Sequence, residues 1–348
     1  MKYYSENLLL FFAAIQGHDE FIRQRTDEII RGDIDWEYLQ QNAAALGIAG
    51  GLIDRLLQAE KADNDFISQM RKIMKHEIQK TVSMLSLYKE ISSLFKKYGF
   101  SFIPLKGCDS RIAKGARNVF NVMEDIDILV KISDVEDIGN VLEENGYYYQ
   151  GSFSGSHMNF FTDEAMPRLI EIHWDLINRA SPVNSRLFQP SIDAVWERSI
   201  ILCDISHLST EDLLSYLVAH SVKEYFHKPK WLADIAWVIE NFSSKIDPAH
   251  TKIIMTEWGT SKALGIISSA LKALLDDSDF DVVWDLGALR PGLIGSFVAK
   301  RVVCYHNLRM LRPLIFMSSA DTLPRTFSVT GGVIERSIRE LRKKISKI

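Results

Sequence analysis

Asp125 and Asp127 stand in the run Glu124-Asp125-Ile126-Asp127-Ile128-Leu129-Val130. Successive side chains of a strand point to opposite faces, so the two aspartates share one face while Ile126, Ile128 and Val130 share the other. Two ionised carboxylates this close repel each other. Burying them without a cation costs several kcal/mol or forces protonation. A divalent ion removes that penalty, and Mg²⁺ in particular binds through few carboxylates plus phosphate oxygens and water. A second segment offers a third acid: Glu171, His173 and Asp175 alternate with Ile170, Ile172 and Trp174. If that strand lies beside the first, Glu171 completes the site. Three acids can hold two metals roughly 3.5–4 Å apart, one on an attacking oxygen and one on a triphosphate. The competing reading is an exposed strand with two solvated aspartates. A lone Asp-x-Asp is weak. Flanking β-branched residues and a second strand of the form apolar-Glu-apolar make it more specific.

Upstream, Phe102-Ile103-Pro104-Leu105 runs into Lys106 and Gly107, with a helical pattern beyond. A glycine here lets backbone N–H groups approach phosphate oxygens, and a helix N-terminus favours the same anion. Lys106 could add a point charge to a triphosphate. A plain strand-to-helix turn is the commoner meaning of an isolated Lys-Gly. No Walker pattern and no GxGxxG is present. Among the histidines His157, His173, His220 and His227, His173 has the best claim to chemistry because it shares a strand face with Glu171.

These residues need a scaffold. Residues 1–98 read as helical, with Trp36 to Leu57 broken by Gly47 and the pair Gly50-Gly51. A long pattern from Phe66 to Tyr98 has Ile73, Ile78, Val82, Leu85, Leu87, Ile91 and Leu94 as core positions, and Gly99 stops it. Residues 99–182 interleave strands and helices. Strands are predicted at 100–105, 125–130, 147–149, 158–162 and 168–174, with a helix over 135–145. Residues 183–348 return to helix, including one helix started by Thr210-Glu211-Asp212 and another over Trp231 to Phe242. The expected fold is α+β: a small mixed-sheet core flanked by helical regions on both sides in sequence.

The 348 residues are 47% apolar and 25% charged with a formal net charge of −4. That is an ordinary composition able to fill a core, and the charge argues against long nucleic acid as a partner. The basic tail, Arg336 to Lys347, reads as a solvated helix face. Cys108, Cys203 and Cys304 are widely spaced. They indicate neither a zinc site nor a disulfide framework, and they fit a reduced, cytoplasmic compartment. The apolar run Leu8 to Ile15 reads as a buried helix, and no stretch is long enough to span a bilayer.

Taken together, Leu105-Lys106-Gly107, Asp125 to Val130, Gly146-Tyr147, His157 and Ile170-Glu171-Ile172-His173-Trp174 resemble the uncharacterised nucleotidyltransferase family of the DNA polymerase β-like superfamily. The resemblance extends to Asp35-Trp36 through Leu57, and to His220, Trp231, Leu232, Asp234 and Ile235. It implies a nucleotidyltransferase core in which Asp125 and Asp127 are metal ligands for Mg²⁺ or Mn²⁺. Glu171 would be the third carboxylate, as ligand or as base. Gly107 would sit at the triphosphate. The family often has an arginine where this chain has Asn121; Arg117 or Arg111 would take its place. The implied activity moves a nucleotidyl group from a nucleoside triphosphate (NTP) to an acceptor, which could be a small molecule, a peptide or a protein. The alternative is a catalytically degenerate nucleotide- or metal-binding module that acts through a partner.

Overall fold

The computed structural model describes residues 3–15, 17–59, 64–109, 122–150, 155–164, 166–178, 181, 183–226, 228–242, 244, 246–276, 279–304, 312–321, 326 and 329–330. The expected segment around Arg111, Arg117 and Asn121, His227 and the basic tail lie outside the described residues. The chain forms two compact units. One comprises residues 1–174, 200–207 and 228–237; the other comprises 175–199, 208–227 and 238–348. Among the described residues no helix is long and apolar enough to cross a membrane.

The first unit begins with helices α1 (Tyr4–Ala14), α2 (Asp19–Ile30), α3 (Trp36–Leu46) and α4 (Ala49–Leu57). The apolar run Leu8 to Ile15 is buried. Asp35 caps α3 by accepting from the Tyr38 N–H at 2.9 Å, and Gly47 ends it in the left-handed conformation. The pair Gly50-Gly51, expected to break the pattern, lies inside α4 instead. A Cβ on Gly51 would sit 2.0 Å from the Ala13 carbonyl oxygen. The glycine there serves close helix packing, which outweighs its weak helix propensity.

Helix α5 (Asn64–Tyr98) has 35 residues and spans about 50 Å. Gly99, with φ 77°, terminates it, and the Phe100 N–H returns to the Phe95 carbonyl at 3.0 Å. Its buried stripe differs from the expected one. Leu87 and Ile91 are buried as expected, but Val82 is 60% exposed, and Ile73, Ile78, Leu85 and Leu94 are only partly covered. The stripe runs Met70, Glu77, Thr81, Met84, Leu87, Ile91, Phe95. Ser92 is buried beside them and donates to the Tyr88 carbonyl at 2.7 Å, whereas Glu77 and Thr81 each satisfy a buried backbone donor. Glu77 accepts from the Ala49 N–H at 3.1 Å, and Thr81 Oγ1 accepts from the Met123 N–H at 3.3 Å.

Burial pushes the Glu77 carboxyl up to about 7, against the hydrogen bonds from Ala49 and Gly50 that favour its charged form. The folded state therefore holds a proton that the unfolded chain releases near pH 4.5. The resulting stability is fully present below that pH and is lost as pH rises through about 7. The predicted loss is at most about 3 kcal/mol at roughly 1.4 kcal/mol per unit. Urea titrations at pH 5 and pH 8 should show this decline, and Glu77→Gln should flatten it. A variant whose slope with pH matches the unmodified chain would refute the assignment.

After α5 come β1 (Phe102–Pro104), β2 (Asp125–Val130), α6 (Val135–Glu144), β3 (Tyr147–Tyr149), β4 (His157–Thr162) and β5 (Leu169–His173). They form one mixed sheet in the order β1-β2-β5-β4-β3, in which β2 and β5 are parallel and the other pairs antiparallel. The fold class is the expected α+β. Met84, Leu87, Ile91 and Phe95 of α5 share a buried core with Ile126, Ile128, Val130, Phe160, Ile170 and Ile172 of the sheet and Ile138 and Leu142 of α6. That covers one face of β2 and leaves the other to the polar residues. A hairpin, β6 (Ile200–Leu202) and β7 (Ile205–His207), was not expected from the sequence. Its strands have three residues each, too short to show an alternating pattern.

The second unit is helical. Its helices include Thr210–Lys223, Pro248–Trp258, Ser261–Leu275 and Leu293–Cys304. Ser209 caps the first, accepting from the Asp212 N–H at 3.0 Å. The helices Pro248–Trp258 and Ser261–Leu275 are separated at Gly259, where φ is 80°.

Candidate functional site

The parallel pairing of β2 with β5 places Asp127 opposite Glu171 and Leu129 opposite His173. Residues of like parity then project from one face, which assembles Asp125, Asp127, Glu171 and His173 on the side away from the α5 core. Strand β4 adds His157 opposite His173, with ring centroids 5.1 Å apart, and Asn159 opposite Glu171. β1 runs antiparallel to β2 and ends opposite Ile128, and the Leu105 N–H then bonds to the Asp127 carbonyl at 3.0 Å, which brings Lys106 to the same place.

Asp127 is the hub. It is 2% exposed, and its Oδ1 accepts from Lys106 Nζ at 2.8 Å and lies 3.0 Å from His173 Nε2. His173 Nε2 also lies 3.3 Å from Glu171 Oε2. One ligand atom each from Asp127, Glu171 and His173 falls within 4.8 Å of the others, a group able to hold a metal ion. Asp125 stands one pleat away on the same strand, about 6.6 Å along it, and is outside that triad.

Burial works to raise the Asp127 pKa, but the charge and hydrogen bonds of Lys106 and His173 outweigh it and hold the carboxyl well below its usual value. Asp125 goes the other way. Burial, then the charge of Asp127, pushes it up to about 6 against the pull of Lys106. Two equivalent-looking aspartates are thus driven apart: one is ionised and the other sits near half-charge just below neutrality. For His173, burial opposes the charged form, yet its contacts with Asp127 and Glu171 raise its pKa above the usual value. A cation entering among these groups would take over the compensating role of the Lys106 and His173 protons.

The Lys106-Gly107 turn is a single 3-10 turn, Lys106–Cys108. The left-handed residue in it is Lys106, with φ 48°, not the glycine. A non-glycine residue pays about 1 kcal/mol or more for this conformation, and here the ion pair with Asp127 holds it. Among the described residues a Cβ on Gly107 would meet only Met123 Cε, at 3.8 Å, and the glycine is exposed. Burial, followed by the charge of Asp127, raises the Cys108 thiol well above its ordinary pKa.

The expected residues divide as follows. Lys106, Gly107, Asp125, Asp127, Glu171 and His173 come together. Arg111 and Arg117 lie outside the described residues. His220 belongs to the second unit, where it lines a small cavity with Ile177, Asn184 and Phe188. The sequence reading missed a second charged group. Lys228 Nζ and Lys230 Nζ lie 2.8 and 3.4 Å from Glu124 Oε2, next to Asp125. The Lys-Pro-Lys spacing before Trp231 was the available signal. Asp234, on the same helix (Pro229–Phe242), has its carboxyl pushed up to about 7 by burial, with Lys230 opposing.

Comparison with known proteins decides the family. The model of the uncharacterised nucleotidyltransferase family matches residues 32–276, which include every residue of this site. The chain belongs to the uncharacterised nucleotidyltransferase family. The expected resemblance is thereby confirmed, and the match runs on past Ile235, the last of its motif residues. Solved structures similar to this family member include an antigenic nucleotidyltransferase-like protein from Paracoccidioides brasiliensis. It is 12% identical with a TM-score of 0.31, over 62% of this chain and 94% of that one. JHP933 from Helicobacter pylori is also 12% identical, with a TM-score of 0.30, over 66% and 97% of the two chains. No curated protein matches.

Proposed function

We propose that this family member is a metal-dependent nucleotidyltransferase that moves a nucleoside monophosphate from an NTP to a hydroxyl or phosphate oxygen of an acceptor. The observation that carries the reading is the lateral pairing of Asp127 with Glu171 on parallel strands, with His173 joining them at 3.0 and 3.3 Å. Two carboxylate oxygens and an imidazole nitrogen suit a divalent ion. Oxygen donors favour Mg²⁺, and the nitrogen donor widens the choice to Mn²⁺. When bound, such an ion supplies charge neutralisation at the phosphates and acidifies the attacking oxygen.

The roles of the chain's own residues follow from their places. Asp127 and His173 would hold the cation, and Asp125, outside the triad, would add its carboxylate from one pleat away. Glu171, 21% exposed and aimed at the same point, serves as ligand or takes the proton from the acceptor hydroxyl. Lys106 has an alternative partner in the anionic substrate, and the bare backbone at Gly107 offers N–H donors to it. Arg111 and Arg117 are proposed as further phosphate contacts. In the reaction the acceptor oxygen bonds to the α-phosphorus, the bond from that phosphorus to the bridging oxygen breaks, and pyrophosphate leaves. The near-neutral net charge favours a small molecule, peptide or protein as acceptor over long nucleic acid.

The test is a screen of the four NTPs with Mg²⁺ or Mn²⁺, following pyrophosphate release and searching by mass spectrometry for nucleotidylated products, the protein itself included. Metal-dependent pyrophosphate release with one or more NTPs is the expected result. Tight metal–NTP binding with no product under any pairing would instead assign a binding module.

A further inference from the structure

Outside the triad of Asp127, Glu171 and His173, a compact charged group stands at the start of β2. Glu124 immediately precedes Asp125, and both lysines of Lys228-Pro229-Lys230 close on its Oε2, at 2.8 and 3.4 Å. Two ammonium groups share this one carboxylate, and Lys230 also faces the charges of Asp125 and Asp234. The carboxylate is 39% exposed, so each pair is solvent-screened and adds little stability. The lysines are more covered than their partner, at 23% and 18%, with Lys228 held 5.7 Å from the centre of the Trp231 ring. Trp231 is itself 8% exposed. Both long side chains are thus positioned by packing rather than by the glutamate alone, and Lys230 is close enough to act on Asp125 through its charge.

We infer that Lys228 and Lys230 bind the polyphosphate of the incoming NTP, and that Glu124 holds them in its absence. This rests on the nucleotidyltransferase reading of the site. A triphosphate docked at the metal acids needs cations beyond the metal. Lys106, which also pairs with Asp127, brings one ammonium to several phosphate charges. An ammonium offers three donors free to rotate toward phosphate oxygens. Exchange of a half-exposed carboxylate for a multiply charged phosphate chain is favourable, because the charge-assisted bonds increase in number while the ammonium groups stay paired. Glu124 also keeps the lysines from settling on Asp125, which leaves the metal acids accessible.

The test uses the full chain and inorganic tripolyphosphate with Mn²⁺, read by calorimetry, with Mn²⁺ affinity alone followed by paramagnetic resonance. Lys228→Met and Lys230→Met should each weaken tripolyphosphate binding about tenfold, with Mn²⁺ affinity unchanged, and Lys230→Arg should restore most of it. Glu124→Gln should tighten it severalfold, because the competing anion is gone. Circular dichroism establishes that the variants fold. Wild-type binding that the double methionine variant matches within twofold would overturn the inference and leave the enzyme reading standing. Failure of the wild type to bind either tripolyphosphate or any NTP would overturn both.

Discussion

Replacing Asp127 with asparagine is expected to lower NTP turnover by on the order of 10³-fold or more while the protein remains folded. Asp127 is the carboxylate on which the site converges, since Lys106 and His173 both point at its Oδ1 and Glu171 lies beside it. An amide of the same shape keeps the packing at this 2% exposed position but removes the negative charge and half of its acceptors. On the proposed mechanism this charge would hold the cation against the developing negative charge at phosphorus, and removing it would cost several kcal/mol of transition-state stabilisation. The price in stability is smaller, about 1–3 kcal/mol, because Lys106 is 21% exposed and can turn its ammonium to water. Steady-state pyrophosphate release, compared with a thermal melt of the same preparation, separates the two effects. A variant that melts normally and keeps more than a tenth of the activity would remove Asp127 from the mechanism. Asp125→Asn should be milder in stability, since burial already drives that carboxyl toward its neutral form.

The second large effect is on folding. Asp212→Ala is expected to destabilise the helical unit by about 3–5 kcal/mol. Asp212 is fully buried. It accepts from Arg198 Nε at 2.9 Å and Nη2 at 2.8 Å, from Ser209 Oγ at 2.8 Å and from Trp258 Nε1 at 2.9 Å. Those bonds join the helix Thr210–Lys223 to Arg198 and to the end of the helix Pro248–Trp258. Truncation strands the indole N–H and the hydroxyl without an acceptor and leaves Arg198 only Glu257, at 3.1 Å. The Arg198 pKa is raised above its ordinary value, first by the hydrogen bond to Asp212, so the guanidinium stays charged. Guanidinium unfolding should show a lower midpoint at nearly constant slope. The double variant Asp212→Ala/Arg198→Met should recover part of the loss, because the guanidinium is no longer left short of a partner. A single variant within about 1 kcal/mol of wild type would contradict this account.

The two kinds of residue involved differ in how visible they are before folding. The run Asp125 to Val130 announces itself, because strand alternation is a local, two-residue rule and its apolar half matches a buried face. The same holds for the termination of α5 at Gly99 and the start of a helix at Thr210. The buried stripe of α5 was partly misread. Val82 fits the apolar pattern yet faces outward, whereas Glu77 and Thr81 turn inward to meet the backbone N–H groups of Ala49 and Met123. Hydropathy cannot see a donor 28 or 42 residues away. Gly50-Gly51 misled for the same reason, since the contact that requires Gly51 is the carbonyl of Ala13 on α1.

By itself the amino-acid sequence determined the α+β class, the family, and the shared face of Asp125 and Asp127, all of which rest on short-range spacing and recognisable motifs. Only the tertiary structure decided that β5 runs parallel beside β2, so that Glu171 and His173 reach Asp127. That pairing spans α6, β3 and β4, and no local periodicity encodes it. The tertiary structure also gave the two aspartates opposite electrostatic characters, because burial and the approach of Lys106 differ at positions two residues apart. It likewise brought Lys228 and Lys230 to Glu124 across about a hundred residues of chain, where Coulomb attraction acts on distance in space and not on separation in sequence.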